Sequence, residues 1–490
     1  MKKLSKKTRT LIFSCAGLAI LTAAILVLVL TQESPPVVKE EDPTEPMANR
    51  VHFTQLEAED LLSLSVFNEH EAYTLERTDT GALGIEALLG APLSFTKLHN
   101  SERYISGLWA REAVEEDAKD FEQYGLGDTA AWAFAIFRNG ETLELYIGDE
   151  TPTVENMTYV RIAGENSVYV VWTYLVDYIK EPSLFYVSLE VTPDYMTAGQ
   201  PDMERLVIDR AERERHVIIP NPNAAAEDRI TSRYILVEPV QVQIDFTKGA
   251  DLLEGMFGLT AFKAAFVGEE LPHEFADGFN NPTAAVEMTV NGKTSTFTVG
   301  GRYYTVDDEG EDVLSGFYAI HSNYPEVLYV FGLEELSWLN FDAGGIMAPA
   351  FQRPMIYSVD ELIIETAERT LNFRLTGTGR DDEEYFLDGV LADTAEFKQL
   401  YIYIISVNAD ALYDGEPEDV ADMPFLARYT FRYRDPNRSD EIIEFFDSGG
   451  MNSVIVIDGE PRFITRAMYL TRLAQNIELF LNGEPVIISW

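Results

Sequence analysis

The chain is 490 residues long, 46% apolar, and carries 82 Asp and Glu against 37 Lys and Arg, a net charge of −45. That length exceeds one ordinary domain and points to about three, and the apolar content excludes a mainly disordered chain. A surface so negative repels phosphate backbones and anionic headgroups, which excludes nucleic-acid binding.

The first ten residues, "MKKLSKKTRT", hold four Lys and one Arg, and residues 11–30 then run without a charge. A helix of twenty residues rises about 30 Å, the thickness of a bilayer hydrocarbon core. The exit "ILVLVLTQES" offers large side chains where a signal-cleaving enzyme takes small ones. The expectation is an uncleaved anchor: 1–10 a cytoplasmic basic tail, 11–30 a transmembrane helix, and 31–50 a Pro- and acid-rich tether. The basic start places the N-terminus in the cytoplasm and residues 31–490 outside it, in a cell membrane of single-pass topology. Cys15, the only cysteine, falls within the span, so the outer part holds neither a disulfide nor a Cys-ligated zinc site. Beyond the basic tail, 32 Lys and Arg face 82 acids, a net of −50.

Past the tether the sequence repeats itself. "YGLGDTAAWAFAIFRNGETLELYIG" (124–148) is echoed by "DGFNNPTAAVEMTVNGKTSTFTVGG" (277–301). Each has a glycine-containing lead-in, an alternating strand, Asn-Gly, a second alternating strand and a final Gly. "YVRIAGENSVYVV" (159–171) answers "YAIHSNYPEVLYVF" (318–331), and the runs "WTYLVDYI" and "GLEELSWL" that follow read as closing helices. A third set, "YTFRYR", "EIIEFF", "SVIVI" and "RFIT", ends in the helical run 466–477, with Met468, Leu470, Leu473 and Ile477 on one face. Before each meander stands a smaller unit of strands and a helix, such as "AYTLERT" and "LGIEAL" leading to "LSFTKLHNSERYISGL". The predicted fold is α+β: three tandem modules at 51–182, 183–345 and 346–490, each a two-strand/helix unit followed by a four-strand antiparallel meander closed by a helix. In this reading Asn139-Gly140 supplies positive φ to a tight turn, Leu143, Leu145 and Ile147 alternate inward, and Gly148 ends the strand.

The run "YGLGDTAAWAFAIFRNGETLELYIGDETP", with "YVRI" and "VYVV" after it, resembles the bacterial family of domain of unknown function 4340 (DUF4340). The likeness rests on the basic start, the single N-terminal span, the Tyr-Gly-Leu lead-in, the glycine-ended hairpin and the strand before a helix. It covers residues 70–180 and extends by internal repetition to 340; Trp132 and its Ala-rich strand depart from the pattern, and the third module carries no such match of its own. The resemblance implies an extracytoplasmic accessory beside the permease or substrate-binding-like subunits of an ABC transporter of the kind linked to gliding motility. It implies no catalytic residue.

The residues themselves offer no reaction. His52, His70, His99, His216, His273 and His321 include no pair at helical metal-binding spacing and read as surface or turn histidines. No nucleophile elbow, phosphate loop or dinucleotide fingerprint occurs, and no cofactor or metal is expected. The acidic runs 307–312 ("DDEGED") and 410–422 ("DALYDGEPEDVAD") lack the spacing of a calcium loop and read as solvated linkers, with weak calcium binding as the alternative. Tyr303-Tyr304 and Tyr401 with Tyr403 read as core or sheet packing, or as an outward surface for carbohydrate or protein. The expected function is thus a membrane-anchored, extracytoplasmic, non-enzymatic accessory of an ABC-type transport or surface-remodelling system. The alternative is a cell-envelope protein that binds wall polymer or polysaccharide.

Overall fold

A computed structural model describes residues 50–488, apart from 79–80, 153, 193–202, 223–231, 352–353 and 378–381. The basic tail, the apolar span with Cys15 and nearly all of the tether lie outside the described residues. Among those that are described, no helix is long and apolar enough to cross a membrane.

Three antiparallel sheets carry the fold, with a few helices. The first comprises β2 (Leu61–Phe67), β3 (Ala72–Arg77), β4 (Leu83–Ile85), β6 (Glu112–Glu115), β7 (Ala131–Phe137), β8 (Thr142–Glu150), β9 (Met157–Ile162) and β10 (Val168–Trp172), in spatial order 4-3-2-7-8-9-10-6. A two-strand ribbon, β1 (Val51–His52) with β5 (Trp109–Ala110), sits beside it. The second sheet comprises β11 (Met203–Arg210), β12 (Arg213–Pro220), β13 (Tyr234–Glu238), β14 (Val242–Gln243), β15 (Lys263–Val267), β16 (Ala284–Val290), β17 (Lys293–Val306), β18 (Asp312–His321) and β19 (Val327–Gly332), in order 14-13-12-11-16-17-18-19-15. The third comprises β20 (Val359–Thr366), β21 (Thr370–Thr376), β22 (Glu384–Leu387), β23 (Val390–Leu391), β24 (Ala411–Leu412), β25 (Phe425–Tyr433), β26 (Glu441–Asp447), β27 (Asn452–Ile457) and β28 (Glu460–Arg466), in order 23-22-21-20-25-26-27-28-24. One strand order therefore serves all three, the eight-stranded first sheet lacking, among the described residues, an equivalent of the outermost strands β14 and β23.

The order has a physical consequence. After the outer strands on one side, the chain must travel to the opposite edge before returning to the centre. The helices α1 (Phe95–Ser106), α2 (Phe246–Glu254) and, after α3 (His273–Asn280) further on in the second sheet, α4 (Thr394–Ile405) stand at that crossing. Crossing a sheet face buries one side of the helix: α1 turns Leu98, Ser101 and Ile105 inward, and α4 turns Phe397, Leu400, Tyr401 and Ile404 inward. The Ser94 hydroxyl accepts from Lys97 N–H at 3.4 Å, and Asp393 accepts from Ala395 and Glu396 at 2.9 and 3.0 Å. These caps satisfy N–H groups that a helix start leaves orphaned. Most buried apolar side chains form one network through all three sheets, with two small satellite clusters around Leu126 and Val454, and isolated bridges Glu190↔Thr260 and Ile244↔Met347 stitch neighbouring units together.

Several expectations need correction. The strands β2, β11 and β20 are the centre of each sheet and pair with β7, β16 and β25, so the smaller unit and the meander are one sheet and not two units in series. The runs after β10 and β19 are short 3-10 turns (Thr173–Leu175, Asp177–Ile179 and Ser337–Asn340), not α-helices. Pro182 follows the first closely, and Gly344-Gly345 the second, whereas α5 (Ala467–Leu481) closes the third sheet with fifteen residues free of Gly and Pro. On α5, Leu470, Leu473 and Ile477 are buried as expected, but Met468 faces solvent.

Turn chemistry also divides. Asn291 and Gly292 both have positive φ, 51° and 73°, and bridge Val290↔Lys293 in a two-residue loop. At the first hairpin only Gly140 does, at 90°; Asn139 instead accepts Glu141 N–H through its side chain at 2.9 Å, and the loop is one residue longer. Asp388-Gly389 and Asp458-Gly459 make the same two-residue turn in the third sheet.

A tyrosine cluster ties α4 to α5. Tyr469 Oη donates to the Ile404 carbonyl at 3.0 Å and lies 2.7 Å from Tyr429 Oη, while Tyr403 Oη donates to the Tyr469 carbonyl at 2.6 Å. Ile404 lies in the last turn of α4, where carbonyls lack helical partners. Tyr469→Phe strips two buried groups of a partner and is expected to cost about 1–3 kcal/mol, read as a lower urea midpoint. Unchanged stability would show that the cluster is packing alone.

Candidate functional site

The repeated glycine motifs prove to be a lock. A Cβ on Gly148 would sit 2.1 Å from the Tyr124 carbonyl, and one on Gly125 (φ 67°) would meet the Asp149 carboxylate at 2.5 Å. The Tyr-Gly-Leu lead-in thus crosses against the end of β8 at a separation only glycine permits. Gly148 does not end the strand, which continues to Glu150. In the second sheet Gly278 of α3 lies against Gly301 in the same way, its Cβ position 2.5 Å from the Gly301 nitrogen. Leu143, Leu145 and Ile147 do point inward.

A second repeated position is chemical. The strand register makes Asn68, Arg210 and Thr366 equivalents, each following the inward-facing Val66, Ile208 and Ile364. Asn68 Nδ2 donates to the carbonyls of Ile179 and Glu181 at 3.0 and 2.8 Å. Arg210 Nη1 donates to the carbonyls of Leu339, at 3.2 Å, and Phe341. Both brace the 3-10 segment that closes their sheet, where carbonyls lack an α-helical ladder. The third sheet, closed by α5, needs no such brace: Thr366 accepts N–H groups of its own turn, and Arg369 pairs with Glu478 of α5 at 2.5 Å.

Arg210 is therefore singular, a cation where its equivalents are neutral. It is buried, and its Nη2 contacts are the Glu214 carbonyl at 3.1 Å and His216 Nδ1 at 2.8 Å. Burial, and then Arg213, push its pKa down. Around it opens a cleft of about 510 Å³ lined by Arg213, Arg302, Leu314, Phe317, Leu333 and Leu336 among others. Arg205 and Arg215 on the same sheet have carboxylate partners (Glu287 at 3.2 Å; Asp209 at 3.7 Å); Arg213 and Arg302 have none among the described residues.

Next to the cleft, β17 and β18 extend past the sheet as an arm: Tyr304↔Leu314, Thr305↔Val313 and Val306↔Asp312. Tyr304, Val306 and Val313 are 46%, 67% and 44% exposed. By alternation Arg302, Tyr304 and Val306 share a face with Phe317 and Leu314, so the arm prolongs the cleft. The first and third sheets turn at this point without such an extension.

Residues 85–187 match the model of the family described as Domain of unknown function (DUF4340). The chain carries a DUF4340 domain. No curated protein and no solved structure gives a significant match. The DUF4340 match begins at the end of β4 and stops at Val187, so it spans α1, the glycine lock and the meander but leaves out the central strand β2.

The sequence candidates fall outside any shared constellation. Asp307 accepts from Glu309 and Glu311 N–H groups, both at 2.9 Å, and shapes the tip of the arm. Asp419 and Glu416 cap a single helical turn, Pro417–Val420, and Asp410 accepts from Arg466 N–H at 3.2 Å. No three His, Cys, Asp or Glu side chains gather as a metal site among the described residues. Tyr401 and Tyr403 are buried, whereas Tyr304 faces outward and Tyr303 Oη accepts from Lys263 Nζ at 2.9 Å. His52, His70 and His99 are exposed, but His216 and His321 are core residues, contrary to expectation. They sit on inward faces of β12 and β18, where the alternation around them was apolar.

Burial lowers the pKa of His216 to about 4, assisted by Arg210, and burial alone takes His321 to about 4. The unfolded histidine protonates first, near pH 6.5, so each site loses stability as pH falls from about 6.5 to 4. His321 Nδ1 accepts Asn323 N–H at 3.1 Å, which Asn can also do. His321→Asn is expected to lose less stability between pH 7 and 5 than the native chain, by on the order of 1–2 kcal/mol. Equal losses in urea titrations at the two pH values would contradict a neutral, buried His321.

Proposed function

We propose that this chain is a membrane-anchored, extracytoplasmic, non-enzymatic accessory of an ABC-type transport or surface-remodelling system, built of three tandem modules on a tether. The observation that carries the reading is the arm of the second sheet. It is an exposed hairpin with Tyr304, Val306 and Val313 on its stem and the acidic run 307–312 at its tip, and among the described residues the equivalent turns of its two sister sheets have no such extension. Modules that share a framework and differ in one projecting element suit protein contact. The charge of −45 favours a basic face on the partner and an association that slows with salt. An anchor would hold the arm near a membrane partner at high effective concentration.

The wall-binding alternative keeps one observation in its favour. A cleft of about 480 Å³ between the first and second sheets is lined by Phe185, Phe262, Phe275 and Tyr318 with Lys97 and Lys263, and aromatic faces suit sugar rings.

Co-purification of the full chain in mild detergent is expected to recover a permease or substrate-binding-like subunit at low salt. Recovery should drop severalfold at about 0.5 M salt and in a Tyr304→Ser/Val306→Ser variant. Recovery of no such subunit, together with saturable glycan binding lost on Phe262→Ala, would replace this reading with the alternative.

A further inference from the structure

We infer that the arginine cleft of the second sheet binds a single-chain amphiphile with an anionic head, its carboxylate or phosphate held by Arg213 and Arg302 and its chain lying on Leu333, Leu336 and Phe317. The cleft adjoins the arm on which the accessory role rests, but Arg213 and Arg302, which hold the anionic head, play no part in that role.

Three observations carry it. First, charge is concentrated against the trend of the molecule. Arg210, Arg213 and Arg302 line one cleft in which Glu212 is the sole carboxylate among the lining residues, on a chain of net −45. Second, none of the three is paired with a carboxylate among the described residues. Arg210 contacts only neutral groups, the carbonyls of Leu339, Phe341 and Glu214 and the imidazole of His216, and its buried Nε has no partner. The Asp342 and Glu214 carboxylates act on Arg210 through space but neither is paired with it, and guanidinium groups not paired with a carboxylate are the common receptor for planar carboxylates and phosphates. Third, the remaining wall is apolar. Phe317 and Leu336 are buried at its base while Leu333 is 46% exposed, and by alternation the arm continues this surface. A cleft of about 510 Å³ is in the range of small-molecule sites. A cationic end joined to an apolar trough selects a ligand with one charged end and one hydrocarbon end.

The corresponding cleft of the third sheet shows what the second lacks. It measures about 410 Å³ and is lined by Leu470, Leu473 and Ile477, but its cation, Arg369, is neutralised by Glu478. It serves as the internal control.

The full chain, held in amphipol, is treated with dodecanoate bearing a terminal diazirine, and the photolabelled peptides are mapped by mass spectrometry. Label is expected on 314–317 and 333–339, and to fall at least tenfold in Arg213→Gln/Arg302→Gln. Both side chains are exposed and unpaired among the described residues, so the variant should fold; an unchanged circular dichroism spectrum and urea midpoint confirm it. Unlabelled competitors should improve about fourfold per methylene from octanoate to dodecanoate. Dodecyl phosphate competing better than dodecanoate would assign a phosphate head, and the reverse a carboxylate. Label that persists in the double variant, appears equally at the third-sheet cleft, or is displaced as well by dodecyltrimethylammonium or by inorganic phosphate alone would overturn the inference.

Discussion

Everything in this molecule depends on one strand pairing made three times. The central strands β2, β11 and β20 pair antiparallel with β7, β16 and β25 over six to seven residues. Without that ladder each unit would fall into a small hairpin and a four-strand meander, each with an open edge and too little core to stand alone. With it, one continuous sheet forms, and the crossing helix has a face wide enough to cover. The same position sets the chemistry. The residue just past the inward-facing end of the central strand meets the segment that closes the sheet, and its identity decides the closure. Asn68 and Arg210 satisfy carbonyls of a 3-10 turn; Thr366 is released from the task by α5.

Much of this was legible because the relevant signals are local. Alternation in 131–147 and 284–299, the Asn-Gly turns and the apolar face of α5 are short-range patterns with a direct geometric meaning. What was missed is non-local. "LLSLSVF" (61–67) alternates well enough, yet nothing in its neighbourhood says that its partner lies some seventy residues away. The closing runs had helical composition, but Pro182 and Gly344-Gly345 cut them to single turns. The glycine lock was visible as a repeat and misread as strand termination, since a close approach of two backbones leaves no trace but the glycines themselves.

The candidate site was hidden for the same reason. Arg210 and Arg213 flank a two-residue turn in "DRAERERH", which reads as an exposed charge run. Arg302 is about ninety residues on, and the strand order alone joins them. Residues that looked chemical, by contrast, are occupied by the framework: Asp307 and Asp419 shape turns, and His216 and His321 are neutral core residues. The differences between the sheets, not their shared features, therefore point to function. Among the described residues, the second sheet combines arginines without a paired carboxylate and a projecting arm with an apolar stem, on a scaffold whose sisters show neither at these places.

Amide hydrogen exchange on the full-length chain tests most directly whether each sheet is a single unit closed through its central pair. The amides of β2, β11 and β20 should exchange at the same slow rates as those of β7, β16 and β25, because opening either side of the ladder opens both. Rapid exchange in β2 to β4 while β7 to β10 remain protected would show two independent pieces and contradict the account.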